Sequence, residues 1–312
     1  METLRLKRIV KNYLIDYMRN KYYNVQKNHL LFAFPRGGST WLMEIIQYIT
    51  KEPVIWEPLH LGHKCPAFKT LNFGWRQYIP EEIEWNEAKL AFDSLFSGKL
   101  IDEDIFRHST YMQSFKSKSL LFKFIFGTQL LPWLTENYTF CYKPINLIRH
   151  PFAVVSSQLR HNSWSFPVSS YTIPSIPFND IFYKYESFLN TLSTAEEVFT
   201  ADWCLANKYV LEHKNNNIKW LTVSYEELVI NPQKTLNRII KEWGLDKDIS
   251  KIDFKKNSST TKKDSPENGI SRINHWQRKL SIHQIRRMKK VLEYFEINTY
   301  SADRAEPKGI YN

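Results

Sequence analysis

The stretch HLLFAFPRGGSTWLMEII, residues 29–46, constrains the chain more than any other. An apolar run ends in a turn with two glycines, and apolar residues at helical spacing begin immediately afterwards. The run suits a strand buried on both faces, as in a parallel sheet. Gly37 and Gly38 let the backbone turn tightly into the helix. A helix beginning there offers free amides and the positive end of its dipole, so the junction suits an anion such as phosphate. Ser39 and Thr40 add hydroxyl donors, and Arg36 adds a planar cation matched to phosphate oxygens. Nucleoside triphosphatases read GxxxxGK[ST] at this point, with the lysine on the β- and γ-phosphates. Neither the spacing nor the lysine occurs here, so the loop must hold a different phosphate.

The rest of the chain repeats the alternation. Apolar runs at 30–34, 120–126, 145–149 and 218–225 read as core strands, and the short run Val54–Trp56 as another. Helical patterns fall at 40–48, 151–160, 181–213 and 232–243, with a final basic helix at about 281–295. Strand and helix in alternation predict an α/β fold: a central parallel β-sheet flanked by helices, with a strand–loop–helix nucleotide site. No repeat or linker divides the 312 residues, so a single domain over 1–312 is expected. It comprises a basic amphipathic helix within 1–28, an α/β core over 29–295, and substrate loops at 58–118 and 162–200. The stretch 251–272 reads as a polar, mobile loop.

The formal charge of +11 suits an anionic ligand, a nucleic acid or an acidic membrane without choosing among them. Cys65, Cys141 and Cys204 are odd in number and far apart, which argues against a disulfide framework and for a reducing, cytoplasmic setting. No apolar run reaches the length of a membrane span. In residues 4–18 the spacing places Leu6, Ile9, Val10, Leu14, Tyr17 and Met18 on one helical face, with Arg5, Lys7, Arg8 and Lys11 among them. Packing against its own domain is the expected role of this helix, and peripheral membrane contact is the alternative. His60, His63 and Cys65 are too few and too isolated for a metal site, so no metal is expected.

A second stretch, KPINLIRHPFAVVSSQLRH at 143–161, delivers Arg149 at the carboxyl end of a strand and Ser157 two turns into the next helix. Both can converge on one phosphate in the crevice where α/β sheets bind ligands. On spacing alone, Arg149 equally suits a surface ion pair and Trp41 a core aromatic.

Taken together, these stretches resemble the sulfotransferases that use 3′-phosphoadenosine 5′-phosphosulfate (PAPS) and release 3′-phosphoadenosine 5′-phosphate (PAP). PRGGSTW at 35–41 is similar to that family's 5′-phosphosulfate loop, and Arg149 with Ser157 has the spacing of its 3′-phosphate motif. VSYEELVINPQKTLNRIIKEWGL at 223–245 and GISRINHWQRKLS at 269–281 resemble two further segments. The resemblance implies that Arg36, Gly37, Gly38, Ser39 and Thr40 hold the phosphosulfate and that Arg149 and Ser157 hold the 3′-phosphate, with help from Arg272. It also implies that Trp41 stacks on the adenine and Tyr225 lies near its edge. The donor then has no β/γ-phosphates for a lysine to hold.

The cytosolic phenol- and steroid-sulfating branch carries a catalytic histidine in a Lys-Thr-His-Leu-Pro segment. In LLFKFIFGTQLLPWL, residues 120–134, Lys123 and Pro132 match that segment and Ile125 stands where the histidine would be. Isoleucine cannot move a proton. The Trp-Glu-Pro-Leu-His stretch at 56–60 resembles the Phe-Glu-Pro-Leu segment of carbohydrate sulfotransferases and offers Glu57 as the base, with His60 and His63 next in line. An exposed loop glutamate is the alternative reading of Glu57. Lys123 is expected at the bridging oxygen or leaving group. The expected acceptor is a hydroxyl on a small molecule or glycan, most simply a carbohydrate or glycolipid, and no nucleic-acid partner is expected. The rival readings are a P-loop kinase, which lacks its lysine here, and a non-enzymatic basic protein that binds nucleic acid or membrane surfaces.

Overall fold

The computed structural model describes residues 2–62, 66–164, 167–254, 258–260 and 270–309. Five parallel strands form the sheet: β1 (His29–Ala33), β2 (Val54–Trp56), β3 (Leu121–Phe124), β4 (Ile145–Ile148) and β5 (Leu221–Ser224), in the order β2-β3-β1-β4-β5. Every strand residue is buried, which is why the strands read as largely apolar runs, with His29, Lys123, Asn146, Thr222 and Ser224 as the polar exceptions. Alternate side chains serve opposite layers. Leu30, Phe32, Phe122 and Phe124 face one core, while Leu31, Ala33, Leu121, Ile145 and Leu147 face the other. Helix α2 (Ser39–Thr50) covers the second layer with Leu42, Met43, Ile46 and Ile49.

From the central β1 the chain moves outward to β2 and β3 on one side, then crosses to β4 and β5 on the other. The carboxyl ends of β1 and β4 therefore flank the switch point, the crevice where open α/β sheets take their ligands.

Several boundaries differ from those read in the sequence. The run 218–225 pairs only over Leu221–Ser224, because Ser224 Oγ accepts the Glu227 amide (3.1 Å) and caps a helix that already includes Tyr225. The expected helix 181–213 is three pieces, Asp180–Tyr183, Glu186–Leu189 and Ala195–Leu211. The last piece starts afresh because Thr194 and Glu197 form a reciprocal capping box. The stretch 58–118 is not simply a loop: it holds the helix Asn86–Phe96, whose Ala88, Phe92, Leu95 and Phe96 join the core at helical spacing. The packed structure also runs past residue 295. The Tyr300 hydroxyl donates to Glu226 (2.8 Å), and His150 Nε2 lies 3.0 Å from the carbonyls of Ser301 and Arg304. Burial drives His150 down to about 4 and Glu226 up to about 7. A neutral His150, accepting from the Phe152 amide at Nδ1, then donates from Nε2.

Helix α1 (Glu2–Asn20) packs on the domain through a different face from the expected one. Ile15 and Met18 are buried and Leu14 is half-buried, whereas Ile9, Val10 and Tyr17 are exposed. Lys11 pairs with Glu103 and Arg19 Nε donates to the Ile101 carbonyl, which fixes the rotation of the helix. The Leu6 side chain lies outside the described residues. Among the described residues, no helix is long and apolar enough to cross a membrane.

Candidate active site

A cavity of about 950 Å³ opens at the carboxyl ends of β1, β3 and β4. Of the residues expected to act, Arg36, Gly38, Ser39, Thr40, Trp41, Glu57, His60, Lys123, Arg149, Ser157, Tyr225 and Arg272 all line it. His63 lies outside the described residues, as does Cys65. Among the described residues, no cluster of His, Cys, Asp and Glu could hold a metal.

One half of the cavity is built by the turn after β1. The Gly37 amide donates to the Phe34 carbonyl (2.9 Å) and closes the turn. Gly38 has φ +90°, and a Cβ there would meet Tyr225 Cδ2 at 2.4 Å, so both the backbone and its neighbour require glycine. Arg36 takes a left-handed φ of +67°, a strained choice for a long side chain. Its Nε donates to Ser157 Oγ (3.0 Å). Arg149, at the end of β4, donates to the carbonyls of Arg36 (3.1 Å) and Arg272 (3.4 Å), and its guanidinium lies 4.3 Å from the Tyr225 ring centre. Thus Arg36, Arg149, Ser157, Tyr225 and Arg272 form one connected group.

This group is cationic, and the hydrogen bonds that Arg36 and Arg149 donate go to neutral oxygens. Burial, and then the neighbouring Arg149, hold the Arg36 pKa below its ordinary value. Arg149 Nε is buried with no hydrogen-bond partner among the described residues. A buried unpaired donor beside a second cation is costly unless an anion completes the site. Trp41 stands edge-on to Tyr225 (centroids 5.9 Å) and, with Arg272, also borders a second cavity of about 860 Å³ lined by Ile252 and Phe254. Within the expected loop 251–272, Ser258 and Thr260 line the main cavity, and Ser259 donates from its amide (3.0 Å) and hydroxyl (2.5 Å) to Glu44 of α2. Residues 255–257 and 261–269 lie outside the described residues.

The other half begins at the sheet edge. The register pairs Trp56 with Lys123, and the Glu57 amide donates to the Lys123 carbonyl (2.8 Å), which turns Glu57 toward the cavity at φ +46°. The Glu57 carboxylate and the Lys123 ammonium form an ion pair, and that ammonium also lies 3.5 Å from the Trp56 ring centre. Lys123 is 2% exposed. Burial pulls it down to about 8 against the opposing attraction of Glu57. Ile125 lines the same wall. His60 completes it, edge-on to Trp75 (4.8 Å) and Phe126 (5.9 Å).

Sequence reasoning missed several residues of this half. Trp75 and Phe126 meet at 4.6 Å and form an aromatic wall. Arg76 pairs with Asp202 and donates to the Tyr171 hydroxyl (2.6 Å) and the Thr172 carbonyl (3.2 Å), tying the segment after β2 to the one after β4. Arg160 donates to the Ser156 carbonyl (2.8 Å) and lies 3.1 Å from His275 Nε2. Its signal was present, since Arg160 follows Ser157 by one helical turn in the stretch that carries Arg149.

The family model for the sulfotransferase domain matches residues 26–296, so the chain belongs to the sulfotransferase family and is an enzyme of sulfuryl transfer. Three solved structures are similar in fold. The sulfotransferase domain from the curacin biosynthetic pathway is 14% identical, covers 86% of this chain and 97% of its own, and superposes with a TM-score of 0.46. The sulfotransferase domain of the Synechococcus PCC 7002 olefin synthase is 17% identical over 88% of this chain and 98% of its own, at 0.44. Mouse sulfotransferase SULT7A1, complexed with PAP, is 14% identical over 91% of this chain and 89% of its own, also at 0.44. No curated protein sequence matches this one significantly.

Proposed function

We propose that the chain works as one domain that moves the sulfuryl group of PAPS to a hydroxyl of a carbohydrate or glycolipid. The observation that carries the donor assignment is the pair Arg36 and Arg149. Both line one cavity from the ends of β1 and β4, they hydrogen-bond to neutral oxygens, and Arg149 Nε is buried and unpaired among the described residues.

The residues present fit this donor. Arg149, Ser157 and Arg272 hold its 3′-phosphate, and the amides and hydroxyls of 38–40 hold its 5′ end with Arg36, on the turn that the Gly37 amide closes. Trp41 stacks on the adenine, with Ile252 and Phe254 as the facing apolar surface and Tyr225 at its edge. PAPS supplies an activated sulfuryl group whose departure leaves a 5′-phosphate. Arg36 and Lys123 stabilise the charge that develops there. Glu57 accepts the proton of the acceptor hydroxyl. Its ion pair with Lys123 holds the carboxylate in place, and an anion that draws Lys123 toward the loop frees Glu57 to act as the base. His60, on the same wall, is the second choice for the base.

The acceptor reading rests on the Trp-Glu-Pro-Leu segment and on the far half of the cavity. There Trp75, 40% exposed, offers a flat face beside Asp202, Arg76 and Arg160. A flat apolar surface ringed by hydrogen-bonding groups suits a sugar ring. Thermal unfolding tests the donor: PAP is expected to raise Tm markedly more than ATP with magnesium, because only PAP has the 3′-phosphate that Arg149 and Ser157 meet. Equal shifts would overturn the assignment and favour a kinase. A screen of glycans, glycolipids and phenols with labelled PAPS tests the acceptor.

A further inference from the structure

Eight of the fifteen large apolar side chains left exposed among the described residues lie in α1, in the turn after it, and in the short helix Tyr111–Lys116. Ile9 (55%), Tyr13 (72%) and Tyr17 (38%) follow one another at intervals of four, so they form one stripe, and Val10 (51%) borders it. That stripe faces away from Ile15 and Met18, which bury the opposite side of the helix in the core. Tyr17 stacks on Phe115 (centroids 4.6 Å, 8°), and this joins the stripe to Tyr111, Met112 and Phe115 of the second helix. A helix apolar on two opposite sides requires two apolar surroundings. Its own core supplies one.

The charges around this face are basic. Lys21 reaches across from the end of α1 to the carbonyls of Ser114 (3.4 Å) and Phe115 (2.5 Å), beside the stacked rings. Lys118 lies close enough to add to the burial that lowers the Lys21 pKa, and Lys116 is exposed on the same helix. Two acidic residues of this region are paired, Asp16 with Arg19 (3.6 Å) and Glu103 with Lys11 (2.7 Å), with Asp102 and Asp104 on either side of Glu103. Tyrosine-rich apolar surface rimmed with lysine is the composition that settles at the headgroup level of a bilayer, rings in the interface and ammonium groups on anionic lipid. A second copy of the chain suits the face poorly, because a two-fold contact would press one lysine-rimmed face against another.

We infer that the α1 and Tyr111–Lys116 face docks the enzyme on an anionic lipid bilayer. It is independent of the donor and acceptor assignments, since no residue of this face lines the cavity.

Cosedimentation of the full chain with vesicles tests it. The chain is expected to pellet with phosphatidylcholine vesicles that contain phosphatidylserine and to remain in solution with phosphatidylcholine alone, and binding should weaken between low ionic strength and about 0.15 M salt. Tyr17→Ser with Phe115→Ser is expected to weaken binding about tenfold or more, because two rings lose their burial in the interface. Lys21→Gln with Lys118→Gln should weaken it less and flatten the salt dependence. Tyr13→Ser with Met112→Ser, at two largely exposed positions, guards against a folding defect, and an unchanged Tm verifies each variant. Failure to pellet with phosphatidylserine vesicles at low salt overturns the inference, as does undiminished binding by both pairs of apolar substitutions. A dimer that forms with rising concentration and is dissolved by those substitutions would overturn it in favour of a second copy. Binding to polyglutamate through the same residues, without vesicle binding, would overturn it in favour of an acidic protein.

Discussion

The two halves of the cavity are built on different principles. The half formed by 35–41, Arg149 and Ser157 hangs on the ends of adjacent central strands, and each of its residues follows directly from the strand or helix that carries it. The half formed by Glu57, Lys123, His60, Trp75 and Phe126 combines the sheet edge with two long excursions, clasped together by Arg76, Asp202 and Tyr171. The first needs one ligand geometry and is held by backbone. The second is an aromatic wall whose shape depends on which side chains the excursions bring. On the function proposed above, with the first half taking the donor and the second the acceptor, such a division lets one scaffold keep its donor and change its acceptor.

The comparison is broken most directly at Glu57. Glu57→Gln keeps size and hydrogen bonding but removes the proposed base. Turnover is therefore expected to fall by about 10²–10⁴-fold while PAP still raises Tm. Retention of more than about a tenth of normal turnover would pass the role to His60. Loss of PAP binding in the same variant would mean that the two halves are not separable and that Glu57 supports the loop through Lys123. Next in size is Arg149→Ala, which removes a largely enclosed cation from the donor half. PAP is expected to bind more weakly by about 2–5 kcal/mol, with a much smaller loss for adenosine 5′-phosphosulfate, which lacks the 3′-phosphate. A uniform loss by calorimetry would place Arg149 at a different phosphate. Trp75→Ala belongs wholly to the acceptor half. Once an acceptor is known, its KM should rise about tenfold, the loss of one aromatic stacking face, with PAP affinity unchanged. A change in PAP affinity there would erase the boundary between the halves.

How legible each half was follows from the same difference. The α/β class, the strands and the tight turn between β1 and α2 were readable, because a parallel sheet writes its strands as apolar runs and a tight turn writes its glycines. Arg149 and Ser157 were readable because strand end and helix turn fix their relative position. The strained φ of Arg36 was not, since nothing in its residue type signals it. The Glu57–Lys123 pair was not readable either: it arises from the β2–β3 register between segments 66 residues apart. Trp75 gave only a compositional hint, because tertiary packing alone brings it beside Phe126. The rotation of α1 failed for a further reason. With apolar residues on two sides, periodicity could not tell which side meets the core.

The smallest expected effect joins the halves, because it concerns Lys123, which sits between them. Burial lowers its pKa from 10.5 to about 8, Glu57 opposes this, and Arg107 and Arg36 add to it. The unfolded chain thus holds more protons than the folded one between about pH 8 and 10.5, so this lysine makes stability rise with pH across that window. An anion in the donor half reverses the balance by drawing the proton back onto Lys123. PAP binding should therefore take up a fraction of a proton above about pH 8 and essentially none from this group near pH 6.5, where Lys123 is already charged. Because the charged form binds the anion better, affinity should fall as pH rises past about 8, by at most tenfold per pH unit for a single group. Calorimetry in buffers of different ionisation enthalpy measures the uptake directly. Lys123→Met should abolish both the uptake and the slope while lowering PAP affinity at neutral pH. If the slope persists in that variant, Lys123 does not meet the 5′-phosphate, and its ion pair with Glu57 serves the acceptor half alone.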